Sequence, residues 1–276
     1  MTLAEMFAAQ TVLNRTITAL LLITLAPLRV FGITPRLWLL AMRSVWPAVE
    51  AARTASAENA RRYYDTERAK HLPDEPRHDV DLDNYTFDWF VEDMEPARVL
   101  MSKPKSSQAD LAKSVMYAVK QVENGGRQTV KTATYKDKKA KGWARVQGGE
   151  DSCAFCLTMI SRGPVYDKAY QAGFKGTIAD SDRLWDLVEN AKTADEKEDA
   201  QKAWNKLMTK WHPNCDCKVV PVFNKANYPG KEQADAALQL WKDVTKGHRG
   251  MDAINELRRY LEGRRPRRLD SVPIAA

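Results

Sequence analysis

The sequence predicts a mainly α-helical chain with one small antiparallel β element, an α+β fold gathered around a cysteine- and histidine-rich site. Three observations predict it. Apolar residues recur at helical spacing over most of the chain, strand signal is confined to two short segments, and all four cysteines fall into two close pairs, one beside each segment. The length of 276 residues allows one large domain or a compact domain with helical extensions. Hydrophobic residues at 44% supply a core, while 29% charged residues and a mean hydropathy of -0.51 mark a soluble chain.

The N-terminal region, residues 1–72, reads as helical and suited to docking a partner. Ile17 to Leu28 is apolar for only about a dozen residues, against the roughly 20 a spanning helix requires, so no stable membrane span is expected. Glu5 ahead of Arg15, and the lack of a small-x-small cleavage pattern, argue against a signal peptide. Thr34-Pro35 is a helix start, with Thr34 as N-cap and Pro35 pre-set for the first turn. The segment runs to about Lys70 with a kink expected at Trp46-Pro47.

Residues 73–124 read as an acidic linker followed by helices. His71 to Asn84 carries Pro73, Pro76 and five acids, the composition of a loop, and Tyr85 to Met101 is aromatic-rich and helical on packing grounds. The clearest helix lies between Ser107 and Asn124, where Leu111, Val115, Ala118, Val119 and Val122 share one face. Ser107 with Asp110 forms a capping box, and Gly125-Gly126 is expected to end it.

Residues 125–223 form the expected core of the chain. Lys218 to Phe223 is a strand, restricted to an edge or a bulge by Pro221, and Trp143 to Val146 is its expected antiparallel partner. Trp204, Leu207, Met208 and Trp211 mark a helix capped by Thr193 and Glu196. Residues 224–263 give two further helices, one through Ala234, Leu238, Trp241 and Val244, the other through Ile254, Leu257 and Leu261. Residues 264–276 are a basic tail.

Charge is unevenly placed. Between Met101 and Arg145 eleven Lys/Arg face three acids, a net of +8 that exceeds the +7 of the whole chain. Between Trp46 and Leu100 thirteen acids face seven bases. Such asymmetry points to a polyanion-facing side, with Lys131, Lys138, Lys139, Lys141, Arg264, Arg265, Arg267 and Arg268 as the phosphate-contacting candidates. Solvated faces and a disordered tail are the alternative. No recognition-helix pattern suggests base reading, so the expected contact with DNA is non-specific.

The cysteines supply the sharpest chemistry. Cys153 and Cys156 form a C-x-x-C turn, and His212, Cys215 and Cys217 form an H-x-x-C-x-C cluster after a 55-residue insertion. Tetrahedral Zn2+ with sulfur and nitrogen ligands fits this inventory. Five donors are offered where zinc takes four, so the ligands are the four cysteines or three of them with His212. Two disulfides are the alternative. Ser161-Arg162-Gly163-Pro164 reads as a tight turn, and Arg145 faces either a phosphate or a carboxylate such as Asp151.

The segments Gly142 to Tyr166 and His212 to Phe223 resemble the Mu F-like minor head proteins of tailed phages, closest to those of phages that infect actinobacteria. The shared pattern is a tryptophan–arginine strand, C-x-x-C, a serine-arginine-glycine turn, and H-P-x-C-x-C running into a short strand. The likeness is tight over residues 125–223 and loose through about Leu261. The charged Asp180–Lys210 insert departs from it. The resemblance implies a virion component inside the capsid at the portal vertex, present in the host cytoplasm during assembly. Its implied partners are the portal or major capsid protein and packaged DNA, with no small-molecule substrate.

The rival readings are a zinc-dependent enzyme, such as a nuclease or toxin-like activity, and a free DNA-binding protein. Paired catalytic carboxylates, H-E-x-x-H, a Walker loop and a nucleophile elbow are all missing from the sequence, so no catalytic residue is assigned. The 55-residue gap between ligand pairs is far from a zinc finger's spacing.

Overall fold

The computed structural model describes residues 1–29, 32–80, 84–149, 152–164, 178–208, 211, 213 and 215–264, with backbone alone for 178–182, 185, 204–208, 250, 251 and 264. The order of elements is mainly helical, with two strands among the described residues. Helix α1 spans Leu3–Leu25 and opens with a capping box between Thr2 and Glu5. Helix α2 spans Pro35–His71, with the Thr34 hydroxyl accepting from the Leu37 N–H as the sequence predicts. It continues through Pro47, and Trp46 packs its ring on Tyr85, Phe87 and Phe90.

The aromatic segment, expected to be helical, is two short helices, α3 (Phe87–Asp93) and α4 (Glu95–Met101). Pro96 accounts for the break, because it lacks the N–H that would bond the Glu92 carbonyl in a continuous helix. Helix α5 spans Gln108–Lys136 and opens on the expected Ser107–Asp110 capping box. It does not end at Gly125-Gly126. The glycines lie mid-helix where α5 crosses α2, and a Cβ on Gly125 would stand 2.4 Å from the Arg53 carbonyl oxygen. They are absent side chains at a close backbone approach, not a terminator.

Strand β1 (Trp143–Val146) pairs antiparallel with β2 (Lys218–Pro221), Trp143 opposite Pro221 and Val146 opposite Lys218. Beyond β2 the Lys141 and Val222 backbones extend the ladder. Helix α6 (Ala154–Ile160) follows β1, with Gly163 at φ 59° in the turn after it. Helices α7 (Ile178–Glu189) and α8 (Ala194–Met208) pack on each other, α8 capped reciprocally by Thr193 and Glu196. Helices α9 (Lys231–Val244) and α10 (Gly250–Arg264) are the last described elements.

Two apolar clusters lie along the α2–α5 pair. One joins the second half of α1 to the first halves of α2 and α5 and to α3 and α4, through Ile17, Leu21, Trp38, Met42, Phe90, Met101 and Val115. The other joins Tyr63, Tyr64, Val130 and Ala133 to the sheet, α6, α9 and three cysteines. Between them α2 and α5 bury a belt of polar side chains, among them Arg53, Ser56, Gln121, Glu123, Asn124 and Arg127.

Helix α1 and the turn after it, Leu3–Arg29, reach 27 residues, long and apolar enough to cross a membrane by length and composition. The sequence reading began the apolar run too late. In this fold Met6, Ile17, Leu21 and Leu25 are buried, and α1 packs against both α2 and α5.

Candidate metal centre

Cys153 is the N-cap of α6, its Sγ accepting the Cys156 N–H at 3.4 Å, so the C-x-x-C turn is the first turn of a helix. Cys215 and Cys217 lie on the extended run into β2. Alternation along that run places their side chains on one face and Asp216 on the other. Asp216 there accepts from the Ser152 hydroxyl at 2.9 Å, tying the two halves of the site together.

Three sulfurs meet. Cys156 Sγ stands 3.2 Å from Cys215 Sγ, which stands 3.2 Å from Cys217 Sγ, and all three lie within 4.8 Å of one another. No disulfide joins the four cysteines, and these separations are well beyond the roughly 2.05 Å of an S–S bond. Zn–S bonds of about 2.3 Å at a tetrahedral angle set sulfurs about 3.8 Å apart. The trio therefore fits three corners of such a centre after a small opening, and these three cysteines could hold a metal. Cys153 stands beside the trio, and His212 lies outside the described residues.

The surroundings carry positive charge. Arg127, on α5, donates to the carbonyl oxygens of both Cys215 and Cys217. Arg145, on β1, points Nη1 at Cys217 Sγ from 3.8 Å. Their guanidinium carbons lie 4.5 and 3.8 Å from the Trp211 ring centroid. Burial alone would lower the Arg127 pKa, but Glu123 and the cysteine sulfurs raise it above the usual value. Burial pushes the Cys217 thiol up to about 12, while hydrogen bonds with Cys153, then with Cys215 and Cys217, push up that of Cys156. Metal-free, the Cys156 and Cys217 thiols favour their protonated form, and a cation would have to displace those protons.

Glu123 anchors the shell. It accepts from Arg127 at 2.7 Å, from Asn14 of α1 at 2.9 Å and from Lys218 of β2. Burial would raise its pKa, but Arg127 and Lys218 hold it below the ordinary carboxylate value. The helical stripe of α5 held a signal for this. Positions 119, 123, 127 and 130 share one face, and two core positions of that face carry Glu123 and Arg127.

The basic window is less of a surface than its count suggests. Lys131, a phosphate-contacting candidate, is 1% exposed, with its ammonium 3.2 Å from Gln128 Oε1, so it has no path to DNA in this fold. Arg127 and Arg145 are buried as well. Lys138, Lys139 and Lys141 are exposed, with Lys139 paired to Glu75 at 2.9 Å. Arg68 of the acidic segment bonds Asp137 at 2.8 Å, so the two charged stretches neutralise each other in part. The backbone of Arg264 closes α10, while Arg265, Arg267 and Arg268 lie outside the described residues.

The VG15 protein family matches residues 34–244, which include both halves of the cysteine site. The chain belongs to that family. The Gene 15 protein of Mycobacterium phage D29 is 36% identical over 240 residues, covering 81% of this chain and 86% of its own. The Gene 15 protein of Mycobacterium phage L5 is 32% identical over 248 residues, covering 81% and 83%. No solved structure matches. The VG15 match begins at Thr34, after α1, and ends at Val244, the last residue of α9.

Proposed function

We propose that this phage protein is a minor capsid protein of Mu F-like type, inside the head near the portal, serving assembly and genome packaging or ejection. The observation that carries a structural reading is the burial of the sulfur cluster. Cys156 and Cys217 are fully buried and Cys215 is 2% exposed, so these three sulfurs are covered by protein among the described residues. A catalytic zinc site keeps an open position, and a structural one is closed. Zn2+ would be held by Cys156, Cys215 and Cys217, with Cys153 as the fourth donor because it already hydrogen-bonds the Cys156 thiol. It would fasten α6 to the run into β2 and add its binding free energy to folding.

The family membership and its mycobacteriophage relatives support the head role. So does the N-terminal region. No acid occurs between Glu5 and Glu50, and Ile23, Leu37 and Leu40 are exposed there, a surface suited to the portal or major capsid protein. Quantitative mass spectrometry of purified virions tests the proposal. A few copies per particle, retained after the tail is removed, is the expected result. Absence from virions and procapsids alike would sink it.

A further inference from the structure

Away from the sulfur cluster, a cavity of about 300 Å³ opens between α2, α3, α5 and α8. Its volume lies at the lower end of small-molecule sites, about 300 Å³ upward. Arg53, Lys120 and Lys202 line it against two carboxylates, Glu92 and Asp93. Lys202 bonds Glu92 at 2.6 Å, and Asp93 accepts from the Tyr85 hydroxyl at 2.8 Å. Trp89 and Tyr117 add aromatic rings to the wall.

The deciding group is Gln121. It lines this cavity at 2% exposure, and its Nε2 has no hydrogen-bond partner. Its Oε1 accepts from Asn124 at 3.1 Å, so the amide orientation is set and the donor is left over. A buried donor without an acceptor costs about 1–3 kcal/mol, a cost that a ligand oxygen or ring nitrogen removes.

We infer that this cavity binds a mononucleotide unit, a planar base with a phosphate, either free or at the end of a single strand. The excess of cations suits the phosphate, the rings suit the base, and the Gln121 amide suits a base or phosphate acceptor. An apolar ligand would leave Gln121 unsatisfied, and a bare anion would leave the rings unused. Burial lowers the Lys120 pKa and raises that of Asp93, so the inner wall of the cavity is desolvated, while Lys202 and Glu92 stand on its exposed side. The site shares no lining residue with the sulfur cluster and does not depend on the head role.

Isothermal titration of the full-length protein tests it, with dAMP, dCMP, inorganic phosphate and a 5′-phosphorylated single-stranded decanucleotide as probes. At least one mononucleotide should bind with a dissociation constant below about 1 mM and at least about tenfold tighter than phosphate. Q121L and K120M should each weaken it about tenfold, with unchanged circular dichroism spectra showing that both variants fold. Decanucleotide binding displaced by dAMP assigns the site to strand ends, and dAMP binding without it assigns free nucleotide. No mononucleotide binding, phosphate binding as tightly as dAMP, or binding indifferent to both substitutions would overturn the inference.

Discussion

Gly125→Ala tests the architecture most directly, because two effects of known size oppose each other at that position. In a helix interior alanine is favoured over glycine by about 1 kcal/mol. Against this, the added Cβ would lie 2.4 Å from the Arg53 carbonyl oxygen and 2.8 Å from Arg53 Cγ, inside the 3.0 Å that such atoms essentially never breach. The oxygen belongs to the α2 backbone and cannot rotate away, so α2 and α5 must part by at least about half an ångström. Overpacking of this kind costs about 1–3 kcal/mol, and here two long helices share the displacement, which places the cost at the upper end. The net expectation is a loss of about 2 kcal/mol, or about 4–8 °C in melting temperature for a chain of this size. Gly126→Ala meets Ser56 Oγ at 2.9 Å, the Ser56 carbonyl oxygen at 3.1 Å and Ala60 Cβ at 3.3 Å and should cost less than Gly125→Ala but still destabilise, while Gly263→Ala on α10 meets nothing within 4 Å and should be neutral or stabilising. Thermal and urea unfolding of the three variants, followed by circular dichroism, decides it. A Gly125→Ala chain as stable as the native one would refute the close crossing.

Elemental analysis should find about one zinc per chain, and Cys156→Ser should lose the metal and lower the melting temperature by several degrees; metal-free protein with two stoichiometric disulfides would reject the centre. Glu123→Gln strands Arg127 and Lys218 without their buried anion and should cost about 3–5 kcal/mol, measured by urea unfolding. The folded pKa of Glu123 is depressed from 4.5, so its contribution is complete above that pH and lost as pH falls through the lower folded value. Melting temperature should therefore drop below about pH 4.5, and Glu123→Gln should flatten part of that acid limb while Asp137, likewise depressed despite the opposing effect of burial, supplies the rest. If the chain binds duplex DNA, affinity should fall steeply with salt, and replacing Lys138, Lys139 and Lys141 by Gln should reduce the log–log slope by about 0.9 per lost contact, with sequence-selective binding as the contrary result.

How much of this was legible depended on whether a signal was local. The Ser107–Asp110 and Thr193–Glu196 boxes and the Thr34 cap act within one turn, so residue spacing alone located them. The β1–β2 pair was legible because its two segments are the β-branched or aromatic exceptions in a helical chain. Gly125-Gly126 was misread because a glycine pair has the same appearance at a helix end and at a helix crossing. Only the position of Arg53, 72 residues earlier in the chain, tells the two apart. Lys131 was misread for a related reason. Counting charge along the chain cannot separate an exposed lysine from one beside Gln128 in the core, and its helical phase was the available warning.

The cysteine pairs were visible in sequence, but what surrounds them was not. Spacing identifies ligands because a metal needs them close together, whereas Arg127 reaches the Cys217 carbonyl from 90 positions away. The consequence is a physical argument about the site's charge. Arg127, Arg145 and Lys218 converge on a buried region in which Glu123 pairs with Arg127 and Lys218. Protonated Cys156 and Cys217 offset those cations less than thiolates around a divalent metal, which carry net negative charge. The same cations that make a metal-free cluster costly would thus favour a loaded one. Metal removal and Arg127→Met should consequently be non-additive, the second perturbation costing less after the first. Simple additivity in a double-mutant cycle of Arg127→Met and Cys217→Ser would show that the arginine shell and the sulfur cluster are energetically separate.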